Sequence, residues 1–390
     1  MLPPYLMVSE PGSFARHTIQ RRKPGVIAQV IATQHYPAEI LAALEALAAE
    51  LTAGSVAPLP EDAHDADEWR AALAPWAGAA WLELPWFLAE TYFYRRLLHA
   101  VRYFEPGPFY LLDLFEPQKR EALGEGLGAT GRYYAALGDL DLESRFMAGI
   151  ARCLWGNRAD LSNITVAASS EADGEETHRI LIDHRRAVWE RLAAGRVGRL
   201  DWVADNSGPE ILADMGLIGL LLAHGLVQQV HLHLKPQPFF VSDTMPKDWA
   251  LARQALEAMP DAASAALGAL LHRAEEDGRI RIESHWFWTT GRHFTGLPDD
   301  LAAHLAGADL ILLKGDVNYR RLLEDRHWPH TTDLAAVTRC MPAPYVTLRT
   351  LKAELMVGLA PGEAEAIAAQ DPAWLVNGER GLIHYVEPDV

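Results

Sequence analysis

Short polar segments follow the apolar runs of this sequence, and two of them carry residues suited to binding a divalent metal ion. Asp205 directly follows the run "DWVA" and Asn206 is the next residue, while Asp243 comes two residues after "PFFV". Carboxylate and carboxamide oxygens are hard ligands of the kind that Mg²⁺ and Mn²⁺ prefer. Three such ligands leave coordination positions for water and a substrate, as metal-assisted catalysis requires.

Two other apolar runs are followed by basic residues, which suit an anion. Lys314 follows "LILL" and opens the segment "KGDVN", while Arg349 and Lys352 follow "YVTL". Taken singly, such residues are typical of helix caps, turns and solvated strand ends. Acidic or basic residues nevertheless recur at four predicted strand ends. This recurrence favours one shared site, because ligands of open α/β sheets gather outside the carboxyl ends of the strands.

A helix is predicted directly after the Asp205-Asn206 pair. Gly208 fits its capping position and Pro209 its first helical position. The free amide groups and the positive dipole end of this helix would then face the same site as the two polar side chains.

The spacing of apolar residues changes along the chain and indicates an α/β architecture. From residue 24 to about residue 163 apolar residues recur every three or four positions, which predicts helices, and the polar residues 169–176 are a candidate linker. Beyond them "RLDWVA", "VQQVHLHL", "ADLILL" and "PYVTL" are typical of strands, and "WLVNGERGLIHY" is typical of a terminal hairpin that turns at Asn377 and Gly378.

Strands that alternate with helices predict an α/β/α core with a mostly parallel sheet, capped by the helical N-terminal region. We therefore predict a helical cap region over residues 1–170 and a metal-binding catalytic core over residues 171–390.

The composition and charge of the chain limit the kinds of molecule that it is expected to bind. A formal charge of −17 over 390 residues argues against nucleic acid and anionic membranes, since like charges repel. No apolar run reaches the length of a membrane span and the first residues lack the features of a secretory signal, so we expect a cytoplasmic protein. No protein partner is predicted. Cys153 and Cys340 are too few for a disulfide framework and are expected to pack in the interior.

Other metal and nucleophile chemistries are less favoured by the sequence. His231 and His233 would lie on one face of a strand, but a zinc site needs a third ligand, and the remaining histidines show no helpful spacing. No Gly-x-Ser-x-Gly motif is present for a nucleophilic serine.

Four ordered motifs resemble the damage-control phosphatases, specifically their acidic-residue-methyltransferase-like branch. They are "ADNSGPE", "HLKPQPFFVSDTMPKD", "LLKGDVNYR" and the branch's Arg-Thr-x-Lys tag, which stands here as "RTLK". Further matches, including "PGSFARHTIQRRKP", "AETYFYRRL" and "DLFEPQK", extend the resemblance over nearly the whole chain. Ser207-Gly208-Pro209 departs from the family's more usual small residue, glycine and aromatic residue.

The resemblance implies a hydrolase of small phosphorylated metabolites, with sugar phosphates such as fructose phosphates as the associated substrates. It implies one divalent ion, Mn²⁺, Co²⁺ or Ni²⁺, with Mg²⁺ as an alternative, held by Asp205, Asn206 and Asp243. Glutamate O-methyltransferase activity has also been proposed for the branch. However, methyltransferases that use S-adenosylmethionine usually need a glycine-rich turn after the first core strand, and "VADNSGPE" has one glycine. A binding protein that retains the fold is a third alternative, and the intact motifs argue against it.

The predicted phosphatase mechanism assigns roles to the remaining motif residues. Lys314 and Lys352 would stabilise charge on the phosphoryl oxygens, and Asp316 would orient water or handle the proton of the leaving group. Glu210 would orient a ligand or a bound water. The predicted phosphate- or sugar-binding residues are Asp205, Asn206, Glu210, Lys314, Gly315, Asp316, Asn318, Tyr319, Arg320 and Lys352. Asn157 and Asp160 are candidates for contacting the sugar from the cap, with a structural role as the alternative.

Overall fold

The computed structural model of this protein describes residues 2–156 and 179–387, and a seven-stranded sheet lies at its centre. The strands are β1 Ile180–Asp183, β2 Arg199–Val203, β3 Gln229–Leu234, β4 Ile280–Ser284, β5 Leu310–Lys314, β6 Tyr345–Thr350 and β7 Gly381–Val386. They lie in the order β1-β7-β6-β5-β2-β3-β4, and every neighbouring pair is parallel except β6 with β7. The predicted α/β class with a mostly parallel sheet is confirmed.

Helices flank the sheet on both faces. Those before the sheet are α1 Phe14–His17, α2 Lys23–Thr33, α3 Ala38–Ala53, α4 Ala66–Leu73, α5 Trp86–Ala100, α6 Glu116–Ala136 and α7 Leu142–Trp155. Those between and after the strands are α8 Arg185–Ala193, α9 Pro209–Ala223, α10 Pro246–Glu257, α11 Ala262–Glu276, α12 Asp299–Leu305, α13 Gly315–Leu322, α14 Leu334–Val337 and α15 Glu363–Gln370. Within the described residues, no helix combines the length and the apolar character needed to cross a membrane.

Burial on both faces explains why the central strands are apolar throughout. All five residues of β5 are buried, as expected for a strand of a parallel sheet that helices cover on each side. Leu310 and Leu312 pack into a core with α9, whereas Ile311 and Leu313 pack into a second core with α5. This alternation follows from the two-residue period of a strand.

The layer formed by α6, α7 and α9 packs closely against one face of the sheet. Gly208 caps α9 and Pro209 occupies its first turn, as predicted, so the helix begins where β2 ends. Farther along α9 the ring of Tyr134 from α6 lies over Gly216, and a Cβ atom there would be only 1.8 Å from the ring. Glycine is therefore required for the two helices to approach so closely.

The aromatic N-terminal helices pack into the core on the opposite face. Trp86, Phe87 and Phe93 of α5 are fully buried and share a core with Phe287 and Trp288. The boundary predicted between residues 170 and 171, and the candidate linker at residues 169–176, lie outside the described residues, so the division into two regions stays a prediction.

Two details of the predicted strands are wrong. The terminal hairpin does not form, because the residues before Gly378 are in turns and β7 pairs with β6 and β1 instead. The run "PFFV" is not a strand but part of a loop that returns to the end of β2. The strands β1 and β4 were not predicted from the sequence; they form the two edges of the sheet, where strands are short or only partly buried.

Candidate active site

Backbone hydrogen bonds bring Asp243 next to the end of β2. The amide of Ser207 donates to the carbonyl of Ser242 at 2.7 Å, and the amide of Thr244 donates to the carbonyl of Asp205 at 2.8 Å. These bonds form an isolated antiparallel bridge between Asn206 and Asp243. The three predicted metal ligands therefore lie on neighbouring segments, although the helix α9 and the strand β3 separate Asn206 from Asp243 along the chain.

Three buried carboxylates are neighbours near this bridge. Asp205 is 7% exposed, Asp243 is 1% exposed, and Glu210 in the first turn of α9 is 9% exposed. Burial and the neighbouring carboxylates of Glu210 and Asp243 raise the pKa of Asp205 well above its ordinary value. Burial raises the pKa of Asp243 to about 6, although nearby Lys235 and Lys119 oppose the rise. The cluster is thus an acidic centre whose charges repel each other.

Asn206 links two of these carboxylates. Its amide nitrogen donates to Asp205 Oδ2 at 2.8 Å and to Glu210 Oε2 at 3.0 Å, and its amide oxygen accepts from the Ser242 hydroxyl at 2.6 Å. To act as a metal ligand, the amide must turn its oxygen toward the carboxylates. The Ser242 hydroxyl can serve either end of the amide, since a hydroxyl both donates and accepts.

The start of α13 lies directly against Asp205. Gly315 has φ +86°, and a Cβ atom at this position would be 1.9 Å from Asp205 Oδ2. The carboxyl ends of β2 and β5 are neighbours in the sheet, while the chain leaves β2 toward β3 on the other side. This is the change of strand order at which ligands of open α/β sheets bind.

Two buried lysines that the sequence analysis did not select surround Asp243. Lys235 follows β3, with its Nζ 3.4 Å from Asp243 Oδ2, and Lys119 of α6 donates to the carbonyl of Asp243 at 2.8 Å. Lys235 could have been found by the rule used for Lys314, since it directly follows the strand "VHLHL". Lys119 lies in "DLFEPQK", which the family resemblance includes without assigning a role.

Lys314 lies behind the acidic centre and faces away from open solvent. Its Nζ is 3.2 Å from Glu210 Oε1 and 3.0 Å from Asp214 Oδ1, and it donates to the carbonyl of Cys153. Burial alone would lower the pKa of Lys314, but the carboxylates of Asp214 and Glu210 outweigh it and raise the pKa above its ordinary value. Lys314 therefore carries its charge and fixes Glu210, and its predicted contact with a phosphoryl group stays a prediction.

A cavity of about 200 Å³ opens beside the acidic centre. Six of the predicted site residues line it, namely Asp205, Asn206, Asp243, Asp316, Arg320 and Lys352. Lys352 is exposed, whereas Asp316 is half-buried and accepts a hydrogen bond from Arg349 at 2.8 Å. Arg349 also stacks over the ring of Tyr319 at 4.4 Å. Arg349 thus positions Asp316 at the cavity wall instead of facing the cavity itself.

The opposite wall of the cavity contains an ion-pair network from the N-terminal helices. Glu90 of α5 accepts from Lys23 at 2.6 Å and from Arg320 at 2.7 Å, and Arg320 also pairs with Asp325. The Arg320 guanidinium lies 3.6 Å from the centre of the Trp86 ring. Glu90, Lys23 and Trp86 line the cavity, so the helical N-terminal residues contribute to the site. Lys23 and Glu90 belong to the supporting matches "PGSFARHTIQRRKP" and "AETYFYRRL", to which no role was assigned, and Trp86 lies outside those matches.

We expect Glu90→Gln to destabilise the protein by about 3–5 kcal/mol, because the change leaves two buried cations without their shared counter-charge. Burial alone would raise the pKa of Glu90, but Lys23 and Arg320 outweigh it and lower the pKa to about 2 from 4.5. The stabilising contribution is therefore complete above pH 4.5 and is lost as the pH falls toward 2. Urea unfolding of wild type and variant should show a stability gap that narrows over this range.

The matched control for Glu90→Gln is Glu39→Gln, which removes one partner of an exposed pair with Arg102. It should change the free energy of unfolding by less than about 1 kcal/mol. An equal effect of the two substitutions would contradict the assigned role of Glu90.

Five other predicted site residues within the described part of the chain do not line the cavity, namely Glu210, Lys314, Gly315, Asn318 and Tyr319. Asn318 donates to the carbonyl of Lys314 at 2.7 Å, and the Tyr319 hydroxyl accepts from the amide of Val357 at 3.3 Å. Both are buried within or behind α13 and support its first turn, so their predicted contacts with phosphate stay predictions. Asn157 and Asp160 lie outside the described residues.

The residues of the acidic centre fit a divalent cation. The donor set is all oxygen, and Asp243 Oδ2 is buried without a hydrogen-bond partner among the described residues, with only the Lys235 amine nearby at 3.4 Å. Buried carboxylates normally have such partners, and a hard cation would supply one while relieving the repulsion between Asp205, Glu210 and Asp243. The fold and this site together define an α/β protein with an acidic centre beside a cavity that also contains basic groups.

Comparison with known proteins identifies the family. A model described as the damage-control phosphatase ARMT1-like domain matches residues 18–367. Damage-control phosphatase ARMT1 from Mus musculus is 31% identical over 99% of both chains. The protein of that name from Homo sapiens is 30% identical over 100% of this chain and 99% of the relative. This chain therefore belongs to the damage-control phosphatase ARMT1-like family, and it is a phosphatase.

A solved structure agrees with the fold. A crystal structure of a DUF89 family protein from Pyrococcus horikoshii matches with a TM-score of 0.52 at 13% identity, over 95% of this chain and 98% of that one. Neither the structure of this protein nor the names of its relatives favour the methyltransferase alternative.

Proposed function

We propose that this protein is a metal-dependent phosphatase that hydrolyses small sugar phosphates, such as fructose phosphates, as part of metabolite damage control. The observation that carries the proposal is the placement of Asp205 and Asp243, joined by backbone hydrogen bonds and with Glu210 nearby, at the edge of a cavity that also contains Lys352. An acidic centre of this kind attracts a phosphorylated ligand only when a cation reverses its charge, which is the role proposed for Mn²⁺, Co²⁺, Ni²⁺ or Mg²⁺.

The size and lining of the cavity support a small, polar substrate. A volume of about 200 Å³ is smaller than the roughly 300–1,000 Å³ of pockets for drug-sized ligands. Its wall combines the rings of Phe14, Trp86 and Phe240 with the carboxylates of Glu90 and Asp316. Aromatic faces suit the C–H surface of a sugar ring, and carboxylates accept hydrogen bonds from its hydroxyl groups.

Different residues of this chain would bind the metal ion, bind the phosphate and transfer the proton. Asp205, Asp243 and the amide oxygen of Asn206 would hold the ion once the amide has turned, and Glu210 would then orient a bound water. When bound there, a divalent ion supplies Lewis-acid polarisation of the phosphoryl group and lowers the pKa of water. Lys352 would neutralise phosphoryl oxygens from the solvent side. Asp316, held by Arg349, would accept the proton of the attacking water or return it to the leaving oxygen.

Lys352→Gln should raise KM for a sugar phosphate by roughly 10-fold, equivalent to about 1.4 kcal/mol of binding, because the change removes an exposed cation that lines the cavity. The same change at Lys247, which pairs with Asp113 outside the cavity, is the matched control and should leave KM unchanged. Steady-state kinetics at low and high salt would measure both effects. Identical KM values for Lys352→Gln and wild type would show that Lys352 does not bind the phosphate.

A panel of phosphate esters tests the proposed function directly. Metal-free protein should be inactive, and added Mn²⁺, Co²⁺, Ni²⁺ or Mg²⁺ should restore hydrolysis, with sugar phosphates among the best substrates. Chelation should abolish the activity again. If the metal-loaded protein leaves every ester intact, or if chelation has no effect on turnover, the proposal is wrong.

A further inference from the structure

A second cluster of metal-binding side chains lies on one face of the sheet, away from the acidic centre. Asp201 of β2 pairs with His231 of β3, and His233 of β3 pairs with Glu283 of β4. Because side chains two residues apart share a face, these four residues project to the same side of the sheet. His304 of α12, which packs on that face, completes the cluster.

The donor atoms of three of these residues have the separations of ligands that share a tetrahedral ion. His231 Nδ1 is 3.4 Å from His304 Nε2 and 3.4 Å from Glu283 Oε1, and the three atoms all lie within 4.8 Å of one another. Metal–ligand distances of about 2.0–2.1 Å put tetrahedral ligands roughly 3.3–3.4 Å apart. A direct N–H···N hydrogen bond would be shorter, at about 3.0 Å.

Asp201 and His233 form a second combination with His304, but their contacts make it a poorer ligand set. Both carboxylate oxygens of Asp201 accept from the Arg199 guanidinium, at 2.7 and 2.8 Å, and Oδ2 also lies 2.9 Å from His233 Nε2. A cation would have to displace a bidentate arginine, which forms the strongest type of hydrogen-bonded ion pair. His231, Glu283 and His304 have no comparable competitor among the described residues.

His231 is buried, whereas Glu283 and His304 are partly exposed to solvent. The side chain of His231 is 6% exposed, while those of Glu283 and His304 are 34% and 29% exposed. An ion therefore has a path from solvent, and a position remains for water. Asp201, which pairs with His231, precedes Asp205 by four residues. His231 is therefore roughly 13 Å from the acidic centre along the strand direction.

We propose that His231, Glu283 and His304 form a second metal site, which takes Zn²⁺ or a similar borderline transition-metal ion with two imidazole nitrogens and one carboxylate oxygen. The two sites differ in chemistry, since the acidic centre offers only oxygen atoms. Hard ions such as Mg²⁺ suit the acidic centre, and borderline ions with a preference for imidazole suit the histidine site.

The test uses Co²⁺ and Zn²⁺ as probes on the full-length protein at pH 7.5, with excess Mg²⁺ present to occupy the acidic centre. Wild type should bind one equivalent of Co²⁺ with the intense visible absorption of a tetrahedral site, in addition to any weakly absorbing Co²⁺ that replaces Mg²⁺ at the acidic centre, and Zn²⁺ should abolish the intense absorption. His304→Gln and Glu283→Gln should each weaken Zn²⁺ binding by at least about 100-fold, because a lost ligand costs no less than a lost supporting contact. Asp205→Asn should retain the tetrahedral spectrum.

The matched control is His272→Gln, since the side chain of His272 is 41% exposed and contacts only Glu257 and Glu276 among the described carboxylates. This variant should bind Zn²⁺ as wild type does. Equal Zn²⁺ affinity in His304→Gln and His272→Gln would overturn the proposal. Should the variants fold poorly, zinc-edge anomalous diffraction of wild-type crystals decides the matter. A peak between His231 and His304 supports the site, and a zinc-soaked crystal without that peak refutes it.

Discussion

Asp205→Asn should lower kcat/KM for a phosphate ester by about 10³-fold or more while the protein remains folded. The substitution keeps the shape of the side chain but removes a charged ligand from the acidic centre, and electrostatic groups of this kind are worth several kcal/mol in the transition state. The metal-free variant should be no less stable than wild type, because the change relieves repulsion with Glu210 and Asp243. Steady-state kinetics and urea unfolding in chelator measure the two effects separately.

The control for Asp205→Asn is Asp261→Asn, the same chemical change at the cap of α11, where Asp261 accepts from the amide of Ser264. Asparagine caps helices about as well as aspartate, so both activity and stability should stay close to wild type. Turnover above a tenth of the wild-type rate in Asp205→Asn would mean that the ion is held elsewhere.

Gly315→Ala should reduce activity by roughly 100-fold and destabilise the protein by about 1–2 kcal/mol. The residue has φ +86°, which disfavours any side chain, and its new Cβ would lie 1.9 Å from Asp205 Oδ2. Asp205 or the first turn of α13 must move, and a displacement of about 1 Å at a reacting centre costs on the order of 100-fold in rate. The loss of activity should exceed anything that the loss of stability explains.

Gly225→Ala separates these two causes. Gly225 has φ +65° at the end of α9, and a Cβ atom there would meet nothing within 4 Å. Its substitution should therefore cost a similar free energy of unfolding and leave kcat/KM unchanged. If Gly315→Ala and Gly225→Ala have the same activity, the close contact between Gly315 and Asp205 has no part in catalysis.

The sequence predicts the central strands and the acidic residues because both depend on local features. Apolar runs such as "LILL" are buried on both faces of the sheet, and a polar residue that ends such a run must lie at its carboxyl end. Asp205 and Asn206 were predictable for this reason. The edge strand β4 was missed because exposed polar residues such as Arg281 interrupt its pattern.

Long-range contacts explain what the sequence could not predict. Asp243 reaches Asp205 through backbone hydrogen bonds of a loop that the sequence suggested was a strand. Lys314 lies at the carboxyl end of a buried strand, but no local pattern shows that its amine faces Asp214. His304 likewise becomes a neighbour of His231 only through the packing of α12 on the sheet.

Anomalous diffraction from crystals of the active protein loaded with Mn²⁺ would locate the ion. We expect one manganese peak about 2.2 Å from oxygen atoms of Asp205, Asn206 and Asp243, at the edge of the cavity that contains Lys352. A manganese-dependent enzyme whose crystals show no manganese at these three residues would contradict this expectation.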